Sequence, residues 1–290
     1  MKKVNWEDLR IFFHVARDGG LSAAARQLGI SVPTAGRRML ALEEATGRSL
    51  FRRSQSGYAL TDAGEALFNK VRSMEAAARP LEDWLSPEHS RPLVRISAGS
   101  GTASFMADSF TRLWQPDDPF RLAFVTTEAR LDIAHREVEI GIRNQPAESG
   151  NLASRKMELL RFAPFRHRHH QWPGEPEWVA VDASNARHPA AHWVLARENI
   201  SICTWTNSAA TLRDMVRGGA GIGLMPCFIG DRDPILTRAG GFIEELTETQ
   251  WLVMHDDDRH RKEVRIVIER IVALFSDHAA LLAGERPLCD

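Results

Sequence analysis

The segment SAAARQLGISVPTAGRRMLALEEATGRSLFRRS, Ser22 to Ser54, constrains the chain more than any other. It reads as two short helices joined at a tight corner. Ala24, Ala25 and Leu28 give the first helix a small-residue face against which another helix can lie closely. Gly29 supplies the corner, where a positive φ costs a glycine little. Ser31 can cap the next helix, and Pro33 fits its first turn, where no backbone donor is needed. Upstream, Trp6, Leu9, Phe12, Phe13 and Ala16 recur at helical spacing, which predicts an amphipathic helix over 6–17 that Gly19-Gly20 stops. Ser22 is the expected N-cap of the helix that follows. In the helix after Ser31, Ala35, Met39 and Leu42 point inward, while Thr34, Arg37, Arg38 and Ala41 share the opposite face. Beyond Gly47, Leu50 and Phe51 read as buried, and Arg52 and Arg53 enter a short β-ribbon that turns at Ser56-Gly57.

Charge gives this compact head a partner. Residues 1–61 hold ten lysines and arginines against five carboxylates, a net of +5, so a chain totalling −1 carries −6 on its remainder. A basic head on a mildly acidic body suits a polyanion. A helix pair whose second helix is polar and arginine-bearing has helix-turn-helix geometry, and the major groove of double-stranded DNA admits one such helix. The helix face can supply phosphate and base contacts, and the ribbon arginines can reach the flanking backbone.

From Asp62 the pattern becomes one long helix in which Leu67, Val71, Met74, Ala78, Leu81 and Leu85 form an a/d seam, the signature of helix pairing between subunits. An amphipathic helix lying on its own domain is the other reading. Pro80 should kink or end it, and SPEHSRP, 86–92, reads as a linker. The rest alternates strand and helix. Strands are expected at 94–98, 122–126 and 138–142, then within apolar runs at 159–165, 178–181, 200–205, 222–225 and 251–254. Helices are expected at 104–114, 130–136, 188–197, 208–217 and 262–283. The alternation implies mostly parallel sheet with helices on both faces, and the polar break near 144–160 suggests two α/β lobes. The expected division is 1–61 for the DNA-binding head, 62–91 for a dimerisation helix and hinge, and 92–290 for the two-lobed body. With 290 residues there is chain enough for more than one core.

No apolar run approaches the ~18 residues of a membrane span. Glu7 and Asp8 interrupt the N-terminus where a signal peptide needs an apolar stretch. Cys203, Cys227 and Cys289 lie far apart and in no CxxC pair, as befits reduced thiols. A cytoplasmic protein is expected, with no membrane partner.

Residues 5–64 resemble the N-terminal domain of LysR-type transcriptional regulators. The matching run is Leu9-Arg10, Phe12, Val15-Ala16, Gly20, Ser22, Ala24-Ala25, Leu28, Ser31, Pro33, Arg37, Leu42-Glu43, Gly47, Leu50-Phe51, Arg53, Leu60-Thr61 and Ala63-Gly64, without a gap. A looser likeness extends over the whole chain. It implies an α/β protein with an N-terminal winged helix-turn-helix, a long linker helix pairing two subunits, and a C-terminal two-lobed α/β effector domain resembling periplasmic binding proteins. It also implies a homodimer through that helix, assembly to a homotetramer, and RNA polymerase as a further partner. By this likeness the DNA-binding residues are Ser22, Ser31, Val32, Pro33, Thr34, Gly36, Arg37, Arg38, Arg52 and Arg53. Val32 stands where the family commonly has glutamine, and Gly36 where it commonly has serine.

In a two-lobed α/β domain a ligand sits outside the carboxyl ends of the strands. Ser100, Thr102, Thr126, Thr127, Arg143, Asn144, Thr204, Trp205 and Asn207 follow expected strands and offer hydroxyls, a cation and an aromatic wall. That set suits a small effector bearing a carboxylate; helix capping is the bland alternative for the hydroxyls. RGGAGIGLMP, 217–226, lacks the strand-before, helix-after context of a nucleotide loop, so Gly218 and Gly219 are expected to end a helix and Pro226 a strand. HRHH, 167–170, and HDDDRH, 255–260, lack the partners of a tetrahedral metal site and read as charged loops. AGSGTA, 98–103, lacks GxSxG spacing. An enzyme and a constitutive DNA-binding protein without ligand are the rival classes; neither a cofactor nor a metal is expected.

Overall fold

The computed structural model describes residues 4–54, 57–85, 91–126, 133, 138–147, 150–183 and 188–285. The chain forms two compact units, Met1–Ser90 and Arg91–Asp290.

The first unit opens with α1 (Trp6–Arg17), α2 (Leu21–Leu28) and α3 (Val32–Thr46). Ile11, Phe12, Val15, Ala24, Ala25, Ala35, Met39 and Leu42 form its core. Alanines at the α2 contact leave room for the neighbouring backbones to approach, and Gly29 turns the corner at φ +66°. Ser31 caps α3, its Oγ accepting from the Thr34 amide at 3.2 Å. The N-cap of α2 is Gly20 at φ +153°, with no side-chain bond; Ser22 lies one residue inside the helix. A glycine there takes a backbone path closed to serine, which moves the cap upstream of the expected position.

A ribbon of β1 (Phe51–Ser54) and β2 (Gly57–Leu60) follows, with Ser54 opposite Gly57; residues 55 and 56 of its turn lie outside the described residues. Glu43 of α3 fixes its entry, Oε1 accepting from the Leu50 amide at 2.6 Å and the Phe51 amide at 3.3 Å. Helix α4 (Asp62–Leu85) then runs unbroken past Pro80. Helix-forming residues before and after it, EAAAR and LED, sustain the helix despite one lost backbone bond. Val71 is buried in the head's own core, with Leu67 and Phe68 against it, and the Phe68 ring stacks on Phe13 at 5.4 Å. The front of the seam therefore serves its own domain, and Met74 is the first seam residue left open, 43% exposed.

The second unit contains β3 (Leu93–Ala98), α5 (Ser100–Asp108), α6 (Phe110–Leu113), β4 (Arg121–Thr126), β5 (Ile140–Arg143), β6 (Leu152–Leu160), β7 (Phe162–His167), β8 (Trp178–Val181), α7 (Pro189–Leu195), β9 (Ile202–Thr206), α8 (Ala209–Arg217), β10 (Gly223–Pro226), α9 (Cys227–Gly230), β11 (Leu236–Arg238), β12 (Glu248–His255), α10 (Lys262–Asp277) and α11 (Ala279–Leu282). The first lobe's sheet has the order β4-β3-β5-β12-β6, parallel through β4, β3 and β5, then antiparallel on both sides of β12. The second lobe holds β10-β7-β11, all antiparallel, and the parallel pair β8-β9. Ile222 bridges them, its amide on the Glu177 carbonyl and its carbonyl on the Val179 amide, both at 2.8 Å.

Both lobes thus mix strand directions rather than being mostly parallel. The chain passes between lobes twice, once from β6 to β7 through Arg161 and once from β11 to β12, and the strand on each side of a crossing pairs antiparallel with its neighbours. The polar break at 144–151 falls inside the first lobe, and the lobe boundary lies at Arg161. One apolar core spans the lobes, joining Ile96, Ile140, Val267 and Phe275 to Ala180, Val194 and Leu224. The expected helix over 130–136 lies almost wholly outside the described residues.

Candidate functional site

Two surfaces on separate units collect the expected site residues. The first is the outward side of α3. Val32, Pro33 and Arg37 are exposed there, with Gly36 half-buried beside them. Arg37 makes no hydrogen bond or ion pair among the described residues. Its neighbour differs: Arg38 Nη1 donates to Asp8 Oδ1 at 2.9 Å, and the Asp8 side chain is only 13% exposed. That bond ties α3 to α1, so Arg38 does not share the outward face with Arg37. One residue along a helix is a turn of about 100°, enough to send adjacent arginines to different surroundings. Thr34 is also engaged, its hydroxyl 2.8 Å from Ser31 Oγ. Ser22 is exposed on α2. Arg52 is exposed on β1, its nearest carboxylate Asp62 at 3.8 Å. Arg53 pairs in the ribbon opposite Tyr58; its side chain lies outside the described residues.

The second surface is a cleft of about 810 Å³ at the crossing of the two lobes. Ser100 and Thr102, in the first turn of α5, line it together with Arg143 at the end of β5. The Arg143 guanidinium donates to the Ser97 carbonyl at 3.1 Å, the Ile142 carbonyl at 2.9 Å and Ser97 Oγ at 3.3 Å, which anchors it to β3. Apolar side chains, among them Leu160, Phe162, Val194, Leu224 and Phe228, form most of the wall.

A polar chain, of which sequence reading named only Asn144, faces the same space. His188 Nδ1 accepts from the Ala190 amide at 3.1 Å and so caps α7. The other ring nitrogen, Nε2, lies 3.3 Å from Glu248 Oε1 and 2.9 Å from Asn144 Nδ2. Gln250, 3% exposed, bonds Asn144 at 2.6 Å. Thr247 adds a buried hydroxyl with no hydrogen-bond partner among the described residues. These residues belong to three segments far apart in sequence, so no local pattern could have joined them.

The profile described as bacterial regulatory helix-turn-helix protein, lysR family, matches residues 6–65. The HTH-type transcriptional regulator CrgA of Neisseria meningitidis is 26% identical over 254 residues, covering 80% of this chain and 82% of CrgA. The chain carries a LysR-family helix-turn-helix segment and is similar over most of its length to LysR-type transcriptional regulators. A full-length OxyR variant from Pseudomonas aeruginosa shares the fold at TM-score 0.58 and 15% identity, covering 93% of this chain and 98% of that one. LysG from Corynebacterium glutamicum with bound effector arginine does so at TM-score 0.53 and 15% identity, covering 94% and 98%.

The other expected effector residues that the structure describes do not line the cleft. Thr204, Trp205 and Asn207 belong to or follow β9, which pairs only with β8 at the outer edge of its sheet; Trp205 is 56% exposed and none of the three lines the cleft. Thr126 is exposed at the end of β4, also the edge of its sheet, and Thr127 lies outside the described residues. The cleft is instead served by the inner strands β5, β8, β10 and β12.

The remaining motifs have structural work. Gly219, at φ +84°, follows α8, and Pro226 ends β10. His167 Nδ1 accepts from the His169 and His170 amides, shaping a turn. Among the described residues no group of three or more His, Cys, Asp or Glu is placed to hold a metal ion, and no helix is long and apolar enough to cross a membrane. Burial pushes the Cys227 thiol up to about 12, and burial with the nearby Glu177 carboxylate also raises Cys203. Both shifts disfavour the reactive thiolate.

Proposed function

We propose that this regulator is a cytoplasmic protein that binds double-stranded DNA as a homodimer and changes its hold on DNA when a small metabolite enters the interlobe cleft. The observation that carries the reading is the cleft itself, on the same chain as a LysR-type helix-turn-helix. Its mostly apolar wall, with a few polar groups converging on one region, is the usual composition of a small-molecule site. The hydroxyls of Ser100 and Thr102 and the Arg143 guanidinium support an effector with a carboxylate. Asn144, Gln250 and Thr247 supply amide and hydroxyl partners for a second polar group. On the head, Arg37 has no hydrogen bond or ion pair among the described residues, which leaves it for DNA, and family likeness assigns Arg52 and Arg53 to phosphate. Assembly to a tetramer and contact with RNA polymerase follow from family likeness.

The deciding experiment is a footprint on the DNA immediately upstream of this protein's own gene, comparing wild type with Arg37→Ala. Protection over several helical turns, lost in the variant, is the expected result. No protection at low salt would overturn an operator at that place.

A further inference from the structure

We infer that Val32 reads a thymine methyl group in each half-site. The inference rests on α3 being the helix that enters the major groove. Its starting point is how few polar side chains α3 has left to offer. Ser31 and Thr34 satisfy one another at 2.8 Å, with Ser31 also capping the helix. Arg38 is held by Asp8. Arg37 alone among these projects without a partner among the described residues. The other outward positions, Val32, Pro33, Gly36 and Leu40, have no polar side-chain atom. Val32 is 42% exposed at the first residue of the helix, and Leu40 is 50% exposed two turns later.

Residues in the first turn of a recognition helix reach base edges. Leu40 lies about 12 Å further along the axis, beyond the base pairs within reach of Val32. An isopropyl group pressed on a base edge cannot replace the water hydrogen bonds of that edge, and an unpaired donor or acceptor carries a penalty. The apolar feature of the major-groove edge is the C5-methyl of thymine. Val32 therefore favours thymine by contact and disfavours the other bases by desolvation, while Arg37 supplies the polar contact. A glutamine in place of Val32 would read adenine instead.

The test uses the full-length protein and an operator selected from a random duplex pool. Each thymine is then replaced singly by deoxyuridine, which removes the methyl group and keeps the pairing. The expected result is one position per half-site at which uracil weakens binding about fourfold. Val32→Thr, which keeps a methyl group, retains the sensitivity, and Val32→Ala loses it at that position alone. Uracil that is neutral at every thymine, or a penalty equal in wild type and Val32→Ala, overturns the inference. Failure to enrich any sequence overturns the DNA-binding reading beneath it, and the inference falls with it.

Discussion

Arg37 and Arg38 look interchangeable in a string of letters and are not. Arg38 holds Asp8, a carboxylate thirty residues earlier, and its removal leaves a nearly buried charge without its partner. Arg38→Ala should cost about 1–3 kcal/mol of head stability and leave the salt dependence of DNA binding unchanged. Arg37→Ala should do the reverse, with the slope of log affinity against log salt falling by about one if Arg37 touches phosphate. Hydrogen exchange on α1 and α3, beside DNA titrations at several salt concentrations, separates the two. Gly64 makes a second point. A Cβ built there would stand 2.1 Å from the Leu50 carbonyl oxygen, so Gly64→Ala should lose roughly 1–3 kcal/mol, read as lost exchange protection across the head. Sequence alone marked both Arg38 and Gly64 as part of a pattern. What each does depends on an atom distant in the chain, which spacing does not encode.

Elements were far more legible than their directions. Apolar periodicity placed α1, α3 and α8 to within a residue or so of their observed bounds, because each buries one stripe against a core, whereas the single helix expected over 262–283 breaks at His278 into α10 and α11. Strand direction left no such trace: β12 carries an apolar run like any buried strand, yet it runs antiparallel to both neighbours. Contacts that pin one element to another were equally hidden. Arg270 of α10 donates to both carboxylate oxygens of Asp118, at 2.5 and 2.9 Å, and this hydrogen bonding holds the Asp118 carboxyl below its ordinary range. A carboxyl depressed in the folded state stabilises above its unfolded value of ~3.9, and that stability is lost as the pH falls through the folded value. Asp118→Asn should therefore lower stability near neutrality by about 1.5–3 kcal/mol. Denaturation curves of variant and wild type should converge as the solution is acidified.

At the scale of the whole molecule, the sequence showed a basic head, a long helix and an α/β body, and it put Ser100, Thr102 and Arg143 at the cleft. It named Asn144 beside Arg143 but missed His188 and Gln250, because the two crossings between lobes bring those segments together and the crossing at Arg161 has no compositional mark. It read the a/d seam as helix pairing or as packing on its own domain, and the front of the seam does the second, with Val71 and Leu67 packed on their own head. The proposed pairing through α4 is then left to residues from Met74 onward. Met74→Glu should shift the protein from dimer towards monomer at micromolar concentration, measured by sedimentation, without changing exchange protection in the head.

The division of labour within α3 also bears on descent. Ala35, Met39, Leu42 and Arg38 hold the helix in place, whereas the side chains of Val32 and Arg37 make no hydrogen bond or ion pair among the described residues. Mutations in the first group are removed with the unfolded protein; mutations in the second meet selection only through the promoters they reach. After a gene duplication, one copy can therefore acquire new targets by a single codon change while its scaffold stays intact.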